Sequence, residues 1–465
     1  MDFVQSPYFN KHQRTVSLLQ FLMQSKIENS AANDKFYRAA FGHIFPRKQF
    51  HLQSLKDVMS YLHRLIQQFL GLSSLQSNNA FNQLQLLEQL RTRELDGHFT
   101  KLLKAAELNL ENFGIRDEDY FLNKMLLSKE ADLHFIQQSK HQSNESLQEK
   151  VDHLDSFYLA SKLKNTAEML NRQNIVKVSY SMPLLEQLLE FIDQHADDYK
   201  DIPAVSIYHK VVLMLQEPEV DRHYQELIKI LKSQSGAFTQ DEAREMYEYA
   251  KNHCIKQINN GKSRFVDELF VVYKLLLQDG IIFRNEELTQ WDYKNIVTVV
   301  TRLAEFQWAH NFIHEYKSRL PKAEQENAFR YNLAIYHFSL GEHDEALELL
   351  RDVEFTDIAY NLGSKSTLLK IYYQLGETEP LLSLIESFRL YLKRNKLISE
   401  YQYWVNYNLL RCVKKVARIK TRMEWDRPER IRADIRKLEK SIQDDGAITN
   451  LEWLLEKVAD LKESV

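Results

Sequence analysis

Glycine and proline are scarce in this chain: 11 and 8 of 465 residues, about 4 % together, where average usage gives roughly 12 %. Sheets, barrels and doubly wound folds turn often and place those two residues at the turns. An all-β or α/β fold is therefore nearly excluded. No glycine stands between Gly114 and Gly236, and no proline between Pro46 and Pro183; such stretches read as helices joined by short polar bends. Cysteine is scarce too. Cys254 and Cys412 cannot build a disulfide scaffold or a cysteine-rich zinc module, and they suit a reducing compartment. Neither sign of charge dominates: 61 basic residues face 65 acidic ones, a net charge of −4, so no whole-molecule field draws the chain to nucleic acid or an anionic surface. No apolar run of roughly 18 residues occurs, so no membrane span is expected. The N-terminal MDFVQSPYFNKHQR lacks the basic segment and apolar run of a signal peptide. A cytoplasmic protein is expected.

What is present is helix-forming and apolar. Hydrophobic residues make up 44 % and aromatics 11 %, enough for a packed core. At 465 residues the length suits about three domains or one long repeat array. Residues 1–140 read as an N-terminal helical region without a repeat period. Leu52, Leu55, Val58, Met59, Leu62, Leu65, Ile66, Phe69 and Leu70 form one helical stripe, with its end expected at Gly71 and a polar bend over 72–79. Phe81, Leu84, Leu87 and Leu90, then Phe99, Leu102, Leu103, Ala106 and Leu110, form two more stripes. The polar stretch 137–148 is the expected connection to the second part.

From about 150 to 400 the pattern becomes shorter helices in pairs. Two pairs come first: 157–170 with 184–192, and 205–215 with 223–231. The clearest self-similarity sets YNLAIYHFSLGEHDEALELL (331–350) against STLLKIYYQLGETEPLLSLI (366–385), an offset of 35 residues. LAEFQWAHNFI (303–313) follows the same pattern at an offset of 37, which places Ala304 under Gly341, and Gly261 lies under Gly341 at an offset of 80. A helix–turn–helix unit at such spacing is the mark of an α-solenoid, with antiparallel pairs meeting near Ala304, Gly341 and Gly376. Ala346, the small residue on a second helix, is expected at the crossing. The segment Tyr331-Asn332-Leu333-Ala334, Gly341, Glu345-Ala346 and Leu350 resembles a tetratricopeptide repeat, and the likeness extends over about 294–394. The usual proline is absent after Val353, and the unit around Gly261 is longer than that family uses. The resemblance implies a right-handed all-α solenoid. Residues 401–465 read as C-terminal helices that cap it, starting with Asp426-x-x-Glu429 and Thr449-x-x-Glu452.

Candidate chemistry is sparse. Gly261-Lys262-Ser263 ends like a phosphate-binding loop, but Lys256 stands where that loop needs its first glycine. His310 and His314 lie four apart on one helix, a metal-compatible spacing without an obvious third ligand. Cys254 and His253 are adjacent in a helix and so point about 100° apart, which suits a buried thiol better than a nucleophile and its base. No catalytic set emerges, so an enzyme is not expected, and neither is a cofactor or a metal. Residues 414–440 carry eleven basic residues against five acids, with Trp425 among them. A nucleic-acid interface there, through Arg430, Arg432, Arg436 and Lys437, is the alternative function.

The leading expectation follows from the tetratricopeptide resemblance, which puts the first helix of each pair on a concave groove. Lys294, Thr298 and Arg302 would line it from one unit. Tyr331, Ile335 and Phe338 follow from the next, and Ser366, Lys370 and Tyr373 from the third. Asn295 and Asn332 resemble the family's peptide-holding asparagines, while the full carboxylate clamp is absent. Basic and aromatic residues together suit a protein or peptide with apolar anchors and acidic groups. The expected function is thus a non-enzymatic protein-interaction scaffold, with some aromatics packing between repeats as the competing reading.

Overall fold

A computed structural model of the chain describes residues 1–25, 34–77, 79–138, 145–175, 178–351, 357–444 and 446–465. The described residues are all-α: helices throughout, no strand, and one isolated bridge between Arg284 and Glu287. The chain divides into two compact units, residues 1–216 with 234–239, and residues 217–233 with 240–465.

In the first unit, α1 (Asp2–Gln5), α2 (Gln13–Gln24), α3 (Asp34–Ile44) and α4 (Leu52–Ser77) close on Leu18, Phe41, Leu55, Leu62 and Leu65. Helix α4 runs on through Gly71, where a break was expected. Leu72 and Leu75 prolong the apolar pattern past it, and a glycine inside a helix costs only about 1 kcal/mol relative to alanine. Next, α5 (Asn79–Thr92), α6 (Asp96–Asn112) and α7 (Glu118–Gln138) share Leu84, Leu87, Phe99, Ala106 and Leu127. The buried carboxylate of Glu130 on α7 accepts from Arg91 on α5 at 2.8 Å. Helix α8 (Glu145–Ile175) lies along α7 and also packs on α11 (Pro203–Gln216). The sequence had paired the 157–170 segment of α8 with 184–192, which forms α9 (Leu185–Gln194), followed by the short α10 (Ala196–Tyr199). Of the stretch 137–148, residues 139–144 lie outside the described residues, and the helices flanking it belong to one unit.

The second unit holds α12 (Asp221–Gln234), α13 (Gln240–Asn259), α14 (Phe265–Gln278), α15 (Gln290–Arg302) and α16 (Phe306–Glu315). It continues with α17 (Gln325–Leu340), α18 (His343–Arg351), α19 (Ile358–Leu375) and α20 (Thr378–Arg394). It ends with α21 (Glu400–Arg422), α22 (Pro428–Asp444) and α23 (Leu451–Glu463). From α13 onward each helix packs against its successor, and α15 on α17 and α17 on α19 pack directly as well.

One turn geometry recurs where the sequence placed its hairpins. At Gly261, Ala304, Gly341 and Gly376 the φ angles are 85, 58, 82 and 75°. In each case the next residue's N–H donates five residues back, as Glu342 does to His337 at 3.0 Å and Glu305 to Val300 at 3.0 Å. That is the Schellman ending, in which a left-handed residue satisfies carbonyls the helix leaves orphaned. Glu94 (φ 55°) closes α5 in the same way, with Leu95 donating to Leu90 at 2.9 Å. With no glycine or alanine there, the sequence offered no signal for it. Ala346 is fully buried, as its place at the helix crossing requires.

The C-terminal caps differ from the sequence reading. Helix α23 begins one residue later than expected, after Asn450, which is left-handed (φ 55°) and makes no side-chain cap bond. Asp426 does not cap α22 in a box with Glu429. Its carboxylate is taken by Arg422 and by the Arg427 N–H.

Candidate functional site

The residues expected on a groove fall into two groups. Lys294, Thr298 and Arg302 stand four apart on α15 and share one helical face. Thr298 and Arg302 are exposed, while Lys294 is half-buried with its ammonium 5.3 Å from the Tyr360 ring centre. Burial holds that amine below its ordinary value, against the pull of Asp357. Ile335 and Phe338 on α17 are half-buried, and Phe338 lies 5.9 Å from the Lys370 ammonium. Lys370 itself is half-buried on α19.

Tyr331, Ser366 and Tyr373 are buried instead. For Tyr331 the competing reading wins. Its ring meets Tyr360 edge-on at 5.0 Å, and its hydroxyl rests over the bare Cα of Gly363, where a Cβ would come within 2.6 Å of the oxygen. A helical first face must bury some of its residues against the next helix, and an aromatic three residues from Ala334 sits at that seam. Asn332 is buried too and donates to the carbonyl of Ala328 on its own helix at 2.8 Å. Asn295 is exposed, beside Tyr273. This pair does not form an exposed backbone-holding set.

The exposed face of the row is partly covered by the chain itself. Arg302 donates to both oxygens of Glu452, at 3.0 and 3.3 Å. Lys370 donates to the side-chain carbonyl of Asn450 at 2.6 Å. The Trp453 ring stands edge-on to Tyr373 at 5.6 Å and 5.9 Å from the Lys370 ammonium. Lys420 on α21 reaches the Tyr373 ring at 4.7 Å, joining α21 to α19. The row therefore carries Lys294, Arg302, Lys370 and Lys420, and the acids come from the C-terminal segment, Glu452 at Arg302 and Glu456 near Lys370. Sequence reasoning missed this because it gave α23 only the apolar stripe Leu451, Leu454, Leu455, Val458 and Leu461 and used Glu452 as a mark of the helix start. Of that stripe the helix buries Leu454, Val458 and Leu461, with Lys457 besides, and leaves Leu451 and Leu455 exposed. A tryptophan off an otherwise aliphatic stripe was the available signal.

Part of the basic stretch 414–440 is engaged with acids. Arg422 donates to Asp434 at 2.7 Å and pairs with Asp426, and Lys414 pairs with Glu386. Arg430, Arg432, Arg436 and Lys437 are exposed. Arg432 donates to the Val465 carbonyl at 2.8 Å, while Arg430 and Lys437 lie 4.0 and 3.7 Å from Asp426 and Asp434.

The remaining motifs read as structure. Gly261-Lys262-Ser263 is the Schellman turn between α13 and α14, and Lys262 pairs with Glu219. The His310 and His314 rings lie 4.4 Å apart, tilted by 46°, next to Tyr336 and Phe329. Among the described residues no three His, Cys, Asp or Glu side chains gather as a metal set. The Cys254 thiol is buried and donates to the Tyr224 hydroxyl at 3.3 Å, and burial pushes it up to about 12. Neighbouring His253 is pushed down to about 4 by its own burial, so at neutral pH both stay uncharged. The first unit has a cavity of about 440 Å³ between α5, α6 and α7, with Leu84, Leu110 and Leu127 on its apolar side and Asp117, Asp119 and Asn123 on its polar side. Its carboxylates belong to the first turn of α7 and to the residue preceding it, where a helix dipole holds acids without help from a ligand.

No family model matches the chain, and no match to it was found among curated proteins or solved structures.

Proposed function

We propose that the chain is a non-enzymatic scaffold that binds a partner protein or peptide on the row of first helices α15, α17, α19 and α21. In this reading the second unit is a tetratricopeptide-like, right-handed solenoid over about 290–394, capped by α21–α23, and the row is its concave groove. The four like turns at Gly261, Ala304, Gly341 and Gly376 support the repeat. The observation that carries the function is the placement of the chain's own segment from Ala447 to Trp453 on that row. A surface that already receives a polypeptide through its cations and an aromatic seat has the chemistry to receive another. The anchors are Thr298, Arg302, Ile335, Phe338 and Lys370, with Lys294 in support; Tyr331 and Tyr373 form the floor.

The test compares what the full chain captures from an extract of its host, as wild type and with Thr298→Glu plus Ile335→Ala. Partners of the groove bind the variant about tenfold or more weakly, the usual effect of spoiling central anchors. The same partners are retained when Arg430, Arg432, Arg436 and Lys437 are changed to glutamine. Capture that survives the first variant and fails in the second, with a steep salt dependence, would move the function to the basic face.

A further inference from the structure

Residues 446–453 run across the row in the manner of a bound peptide. Past Gly446 (φ 72°), the Ala447 carbonyl accepts from the Asn408 side chain at 3.4 Å, and the Thr449 N–H donates to the Val405 carbonyl at 3.3 Å, both partners being on α21. Asn450 then meets Lys370 of α19, and Glu452 meets Arg302 of α15. Within six residues the segment steps from α21 to α19 to α15, through backbone, amide and carboxylate in turn. Ile448, in the middle of the segment, already enters the core shared by α21 and α22, and α23 then adds Leu454, Val458 and Leu461 to it.

The fit at the row is incomplete in three ways. The Lys370 ammonium is offered the neutral amide of Asn450, where a carboxylate would neutralise it. The indole N–H of Trp453 is buried with no hydrogen-bond partner among the described residues, and an unpaired buried donor is costly. Asn450 spends its side chain on Lys370, so the first turn of α23 stays uncapped. These weak contacts hold because the segment is tethered beside its seat, and tethering supplies a high effective concentration.

We propose that residues 446–453 are a built-in occupant of the groove, displaced by a partner segment that sets an aromatic side chain between carboxylates aimed at Lys370 and Arg302. This rests on the scaffold reading and adds the partner's chemistry and its regulation. The segment lifts off the row between two anchors, Ile442 of α22 and Leu454, Val458 and Leu461 of α23, and displacement withdraws Ile448 from the core they share. A partner with aspartate in the place of Asn450 outcompetes it.

The test uses the full chain and two fluorescein-labelled synthetic peptides, one copying residues 446–457 and one with Asn450→Asp. Both bind wild type weakly. Both bind the Glu452→Lys chain about tenfold tighter, because its own segment is repelled from Arg302 while the peptide's glutamate is not. The aspartate peptide binds better than its parent, and Lys370→Met removes that advantage; adding Arg302→Glu to the Glu452→Lys chain, which restores opposite charges at that contact, removes the tenfold gain. Equal binding to wild type and Glu452→Lys overturns the proposal. Hydrogen exchange on unaltered wild type gives a second reading, free of any folding defect. The amides of 447–453 open locally, well before those of α22; if they exchange only with global unfolding, the segment is an ordinary structural element and the proposal fails. Neither experiment involves a natural partner, so the scaffold reading stands or falls separately on the capture experiment.

Discussion

At the scale of single residues, close approach and backbone sign decide the outcome. Glycine to alanine inside a helix ordinarily stabilises by about 0.5–1 kcal/mol. At Gly363 the sign reverses, because the added methyl meets the Tyr331 hydroxyl: Gly363→Ala lowers stability by about 1–3 kcal/mol, and in a Tyr331→Phe background the loss disappears. Urea midpoints of the four chains check this double cycle. Ala304 shows the converse. It holds a left-handed conformation at φ 58°, which costs an L-residue roughly 1–2 kcal/mol, partly offset by glycine's greater freedom when unfolded. Ala304→Gly is expected to raise stability by about 0.5–1 kcal/mol, and an unchanged or lower melting temperature contradicts the turn geometry. Lys370 provides a pH signature. Burial pushes its ammonium down to about 8 from the ordinary 10.5, with Glu456 pulling the other way; Asn450, Phe338 and Trp453 are its other neighbours. Between those two values the unfolded chain keeps a proton that the folded chain has lost, so stability rises with pH across that window. Subtracting the urea midpoints of Lys370→Met from those of wild type at several pH values from neutral to about 10.5 isolates the rise, and a flat difference refutes it.

At the scale of helices, a pattern is reliable where it meets a neighbour and weak where it meets solvent. Ala346 is fully buried where α18 crosses its partner helix, so Ala346→Leu overpacks the crossing and costs about 1–3 kcal/mol. A mutant that unfolds at the wild-type midpoint shows the crossing to be loose. The stripe of α4 continued past Gly71 because no tertiary contact calls for a break there; that residue's missing Cβ would meet nothing within 4 Å. In α23 the expected stripe is buried at Leu454, Val458 and Leu461 and exposed at Leu451 and Leu455. Leu451 and Leu455 look inward by type, yet Lys457 is the residue buried beside the stripe, its ammonium reaching Asp460 at 2.8 Å and Glu456 at 2.7 Å.

At the scale of the molecule, the described residues form two compact all-α units, and no helix among them is long and apolar enough to cross a membrane. The net charge of −4 and the acids paired along 414–440 oppose a polyphosphate partner. Titration of the full chain with mixed single- and double-stranded DNA and RNA at low salt is expected to show no micromolar binding. Binding that vanishes when Arg430, Arg432, Arg436 and Lys437 are neutralised would overturn that expectation.

The sequence by itself determined the all-α class, the hairpin turns at Gly341 and Gly376, the odd alanine at 304 and the buried small residue at 346. All of these follow from local rules: few turn formers, a 3.6-residue period, and left-handed residues at helix ends. Only the tertiary structure decided which members of the row face outward. Tyr331 and Lys294 occupy like positions on their helices, yet Tyr331 is buried over Gly363 while Lys294 is half-buried with its ammonium at the Tyr360 ring. Nor could periodicity show that Asn450, Glu452 and Trp453 come to rest on Lys370, Arg302 and Tyr373, about 80 to 150 residues away in the chain. Contacts that distant are set by how the helices stack, and helix stacking leaves no spacing in the sequence to read.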